Sequence, residues 1–194
     1  MRNCLASLFV ALLLSGCLLP GTYFDPFDEY VRGLRSFDGG GFEQAKNHWV
    51  PLAKAGDCDA QFRLGTLYFL GAGVPQSDET ARHWLFAAAN QGQALAQVLL
   101  AVMHAHDTVP ISTVARTVVF DCTQGCGIER NMGEAYKWAS LSERFALYDG
   151  HREGVKKMLV KYGQSLNPEQ IAEARRRAQD WRPSPNQCKQ RKLL

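Results

Sequence analysis

At 194 residues, with 46% hydrophobic and 21% charged residues, the chain has the makeup of one folded domain with a sizeable core, not of a disordered polymer. A net charge of +3 is too small for a nucleic-acid-binding surface. No run reaches the length of a mature membrane-spanning helix.

Residues 1–16 stand apart. Arg2 gives a short positive start, Cys4 to Leu14 is apolar, and Leu14-Ser15-Gly16-Cys17 follows. This is the pattern of a secretory signal rather than a span. The tetrapeptide resembles the bacterial lipobox, which implies that Cys17 is acylated and becomes the first residue of the mature chain. Leu18 rather than Asp follows it, which in that pattern implies an outer-membrane lipoprotein facing the periplasm. Residues 17–26 then read as an anchor and linker.

Residues 27–182 read as helices in succession. Asp25 and Pro26 form a helix start, with Tyr30, Val31 and Leu34 on one face and a stop at Gly39, Gly40 and Gly41. A second helix over 42–54 carries Ala45, Trp49, Leu52 and Ala53, with Pro51 inside it. A third carries Ala60, Leu64, Leu67 and Tyr68 and stops at Gly71 and Gly73, held by Pro75. Ser77 caps a fourth, with Ala81, Trp84, Leu85, Ala88 and Ala89 facing inward. A fifth begins near Gln93. An insertion over about 105–124 follows, in which Val114 and Thr117 to Phe120 favour extended backbone. Asn131 and Glu134 then read as a capping box for a helix with Ala135, Trp138 and Leu141. A further helix spans about 151–162. Asn167, Pro168 and Gln170 start the last, which carries Arg175, Arg176 and Arg177 on its polar face. Residues 183–194 read as a basic tail.

The helices repeat. A shift of 36 residues carries Gly56 onto Gly92, Ala60 onto Ala96, Gln61 onto Gln97 and Leu64 onto Leu100. A shift of 54 carries Gly71 onto Gly125, Ala81 onto Ala135 and Trp84 onto Trp138, the difference being the insertion. A period in the thirties marks a helical repeat array. Ala60, Leu64-Gly65, Tyr68, Gly71, Gly73-Val74, Ala81, Trp84, Ala88 and Gly92 resemble the Sel-one-like repeat, a relative of the tetratricopeptide repeat. The third unit departs from it: Ala101 replaces a glycine, His104 stands at the tyrosine position and Cys126 lies between the paired glycines. The resemblance implies an all-α fold, an α/α superhelical solenoid, and a non-catalytic scaffold that holds other proteins. It also places Gln61, Arg63 and Gln97 outward on the first helices, as partner-binding positions together with the insertion.

Enzyme signatures are missing from the sequence: Gly71-Ala72-Gly73 follows a helix, not the strand a dinucleotide loop needs. No cofactor is expected. With Cys4 in the signal and Cys17 acylated, Cys58, Cys122, Cys126 and Cys188 remain, which in an exported protein point to two disulfides with three possible connectivities. Cys122 and Cys126 are close enough to pair around a turn, leaving Cys58 for Cys188. The alternative is a zinc site of His104, His106, Cys122 and Cys126. The expectation is a lipid-anchored envelope scaffold for a protein or peptide, with no nucleic acid. Alternatives are a cell-wall or β-lactam-related enzyme-like activity, or a structural protein whose basic tail touches membrane or cell wall.

Overall fold

The computed structural model describes residues 26–112, 117–185 and 188. Eight helices and one β-hairpin lie among them: α1 Pro26–Asp38, α2 Phe42–Lys54, α3 Cys58–Leu70, α4 Asp78–Asn90, α5 Ala94–Ala105, β1 Thr108–Ser112, β2 Thr117–Asp121, α6 Met132–Arg144, α7 Asp149–Gly163 and α8 Pro168–Asp180. The helices pack as successive hairpins, α1 with α2, α3 with α4 and α5 with α6, each stacked on the one before, and α7 and α8 both pack on α6. This is the α/α solenoid, with an antiparallel hairpin inserted in its third unit.

Local chemistry sets the helix starts. Asp57 accepts the Ala60 N–H, Ser77 that of Thr80, Gln93 that of Ala96 and Asn131 that of Glu134, so each satisfies a donor that the first helical turn leaves open. Asn167 and Gln170 form a full capping box. At Asn131 only half the box forms, because the Glu134 carboxylate turns to Lys137 and Arg177. At the far end of α3, Gly71 is left-handed at φ 64° and its N–H bonds to the Leu67 carbonyl.

Within each hairpin a small residue lets the two helices approach. A Cβ on Gly33 would collide with the Trp49 ring, and one on Gly65 would sit 2.7 Å from Leu85 Cγ. In the third unit Ala101 and Ala139 occupy the equivalent positions, both fully buried. The glycine-to-alanine departure is matched by a smaller partner, and α5 packs without loss. Two cores result. Tyr30, Phe37, Trp49, Leu52, Leu64 and Leu67 fill the first; the second runs from Phe62 and Leu85 through α5 and α6 to Ala174 and Ala178. Helix α3 is the shared wall and is buried on nearly every side.

Candidate functional site

The insertion folds back onto the repeats. Thr108 pairs with Asp121 and Val109 with Phe120 in antiparallel register. Phe120 is fully buried and stacks on Phe69 of α3 at 3.5 Å between ring centroids. At the hairpin base the Cys122 N–H bonds to the Asp107 carbonyl, and Cys122 is disulfide-bonded to Cys126. The Asp107 carboxylate meets Lys161 of α7 at 2.7 Å. Burial alone would raise the Asp107 pKa, but the Lys161 ammonium and the Thr108 N–H outweigh it and hold the carboxyl below its usual range. Hairpin and α7 are thereby tied together.

Between them and α5 lies an apolar groove with a cavity volume of about 400 Å³. Leu95, Val98 and Leu99 form its floor, Val109 and Pro110 one wall, and Val155 and Met158 the other. Tyr148 stands at the mouth and is 63% exposed. Gly150 and Gly154, four residues apart on α7, keep that wall low, and a Cβ on Gly154 would meet nothing within 4 Å.

A buried polar relay sets the edge of the groove. The fully buried Ser142 hydroxyl donates to the Ala94 carbonyl at 2.8 Å and lies 3.0 Å from His151 Nε2. With its one proton committed there, the hydroxyl accepts from Nε2–H. His151 Nδ1 is then free to accept the Leu147 N–H at 3.4 Å. Burial, with Arg152 nearby, lowers the His151 pKa and keeps the ring neutral. Ser142 is next to an imidazole, but its proton points to a backbone carbonyl and the imidazole is a donor to it. The pair is a strut, not a nucleophile and base.

The outward placement of Gln61 and Gln97 is corrected. Both are buried, Gln61 at 6% and Gln97 at 0% exposure. Each donates its Nε2 across the repeat boundary, Gln61 to Ala53 O and Gln97 to Ala89 O, at 3.1 Å in both cases. The pairs are related by the same shift of 36, so they are a repeat-to-repeat bond. Gln61 Oε1 also accepts from Gln91, whereas Gln97 Oε1 has no partner among the described residues, because Phe145 stands where the repeat would place a second Gln91. Arg63 is half-buried, donating to Tyr30 Oη and lying 6.0 Å over Trp49. The zinc alternative is corrected as well. The Cys122 and Cys126 sulfurs are bonded to each other, His106 Nε2 lies 2.9 Å from Ile128 O, and His104 is partly buried, its Nδ1 without a hydrogen-bond partner among the described residues.

Cys58 and Cys188 form the second disulfide, across a sequence separation of 130. Two backbone bonds hold the chain near it to the end of α4: Ser184 N–H bonds to Asn90 O and Cys188 N–H to Gln91 O. Cys17 lies outside the described residues. Sequence reasoning missed Tyr148, His151 and the α7 groove face; the Gly150 and Gly154 spacing, beside Val155 and Met158, was the available signal.

The Sel1 repeat family model matches residues 58–93 and 123–142. Among solved structures, the chain is similar to c5321, described as a protective antigen present in uropathogenic Escherichia coli strains displaying an SLR fold. The identity there is 22% and the TM-score 0.63, covering 81% of this chain and 30% of that one. It is also similar to a Sel1 repeat protein from Oxalobacter formigenes, at 26% identity and a TM-score of 0.54, covering 80% of this chain and 55% of that one. The chain therefore spans about a third and about half of the lengths of these two. No curated protein matches.

Proposed function

We propose that this chain, a Sel1-like repeat protein, is a lipid-anchored, non-catalytic scaffold of the bacterial outer membrane facing the periplasm. It holds an apolar segment of a partner protein in the groove between α5, the hairpin and α7. Sel1 repeats generally serve as protein-interaction scaffolds. The observation that carries the reading is the groove itself. It is walled by aliphatic side chains, fitted with an adaptable methionine, and offers an exposed tyrosine at the mouth. The first helices offer less surface than the resemblance implies, because α3 and α5 are buried by the chain's own hairpin and neighbours.

A photo-crosslinking residue at Tyr148, in the acylated chain in its native envelope, should capture a discrete partner. Gly154→Leu, which fills the groove from a position with open space, should abolish that product while keeping helical content. A crosslink that survives Gly154→Leu unchanged would overturn the groove assignment. Anchoring is tested apart. Cys17→Ala should move the protein from the membrane to the soluble periplasmic fraction, because it removes the acyl chains, several of which hold firmly where one anchors only marginally. Unchanged fractionation would refute it.

A further inference from the structure

We propose a second docking site, for an acidic peptide segment of a partner, in the pocket between α6, α7 and α8. Its cavity volume is about 500 Å³, room for one or two side chains. Tyr136, Leu159 and Ala178 make an apolar floor, and Arg144, Arg175 and Arg182 ring it.

What distinguishes these three arginines is the chemistry already around them. Arg175 donates to Tyr136 Oη at 2.9 Å and lies over the same ring. Arg182 donates to the carbonyls of Gln179 and Trp181, and Arg144 lies 5.4 Å over Phe145. These partners are all neutral. They orient the guanidinium groups without neutralising them, and each fork of five N–H donors has capacity left. Among the described residues one acid, Glu143, lines the pocket, so against three arginines this lining carries a net charge of +2.

The neighbouring arginines of α8 differ. Arg176 is paired with Glu173 and Asp180, and Arg177 with Glu134. Charge on this helix is therefore neutralised outside the pocket and left open within it. A membrane surface asks for cations spread over a flat face. Three oriented forks around an apolar floor instead fit planar carboxylates on a chain that also carries apolar side chains. Gln179 at the rim offers donor and acceptor to a peptide backbone. The site shares with the groove only the premise that the ligand is a polypeptide; it uses none of the groove's residues.

The test uses the full mature chain without its lipid and isothermal titration calorimetry. Probes are a hexapeptide alternating Glu and Leu, the same peptide with Gln for Glu, inorganic phosphate, and vesicles containing phosphatidylglycerol. The acidic peptide should bind and weaken with salt. Arg175→Gln and Arg182→Gln should each weaken it by about ten- to a hundredfold, the scale of one charge-assisted hydrogen-bond set. Arg176→Gln, whose charge is already paired, should leave it unchanged. Arg182 is exposed, so its variant reports on binding even should Arg175→Gln fail to fold. Equal binding of the Gln peptide, equal loss in Arg176→Gln, or binding of phosphate or vesicles without the acidic peptide would each overturn the proposal. The Tyr148 crosslink is read separately, so failure here leaves the groove standing.

Discussion

Single residues at the groove make sharply different demands. Gly154 sits inside α7 with open space where a Cβ would go. Gly154→Ala should therefore stabilise the fold by about 0.5–1 kcal/mol, because it removes backbone freedom from the unfolded chain at no steric cost; urea denaturation measures this. His151 and His104 impose a pH dependence. Burial is the leading cause that lowers both pKa values. Each imidazole thus binds its proton more readily unfolded than folded. Stability is complete above the unfolded value of about 6.5 and falls as pH drops from there toward the folded value. For His151 the cost is specific: a protonated Nδ1 would face the Leu147 N–H donor at the start of α7. Thermal melts between pH 7.5 and 5.5 should show the decline, and His151→Gln should lessen it. The carboxylates Asp107 and Glu134, both held below their usual range, lose their share only at lower pH.

Among the elements, what was legible in the sequence was what is local. Ser77, Asn131 and Asn167 cap helices because an oxygen three residues away is enough to do it. The 36-residue period likewise exposes the helix pairs. Gln61 and Gln97 were misjudged because the resemblance to tetratricopeptide-like arrays placed them outward on the first helices, while their acceptors, Ala53 O and Ala89 O, lie across a turn whose geometry no periodicity reports. The groove was illegible for the same reason, since it exists only where the hairpin and α7 dock on α5. The glutamines make a testable contrast. Gln61→Leu strips a donor from Ala53 O and an acceptor from Gln91, for a cost of about 1–3 kcal/mol. Gln97→Leu removes one bond and an acceptor that already lacked a partner, so it should cost less by denaturant titration.

For the whole molecule the two disulfides should differ in weight. In the chain-entropy picture the bond across 130 residues is worth about 5 kcal/mol and the one across 4 about 2 kcal/mol. Cys188→Ser should accordingly lower the midpoint of unfolding much more than Cys126→Ser, as parallel melts would reveal. Phe120→Ala should release the hairpin from Phe69 and cost about 3–5 kcal/mol, taking one groove wall with it.

The bond from Cys58 to Cys188 makes α3 through α8 a covalent ring. A protease that cuts that ring once linearises it without releasing a fragment. A nicked molecule should run as one band without reductant and as two with it. The ring also orders events as the chain is made: α3 emerges first, but its cysteine must wait for a partner 130 positions behind, so the ring closes only after nearly all of the chain has appeared. A chain truncated before 188 leaves the Cys58 thiol at the head of α3 without its partner and uncovered on the side where Cys188 lay, and under oxidising conditions such truncations should accumulate as disulfide-linked dimers.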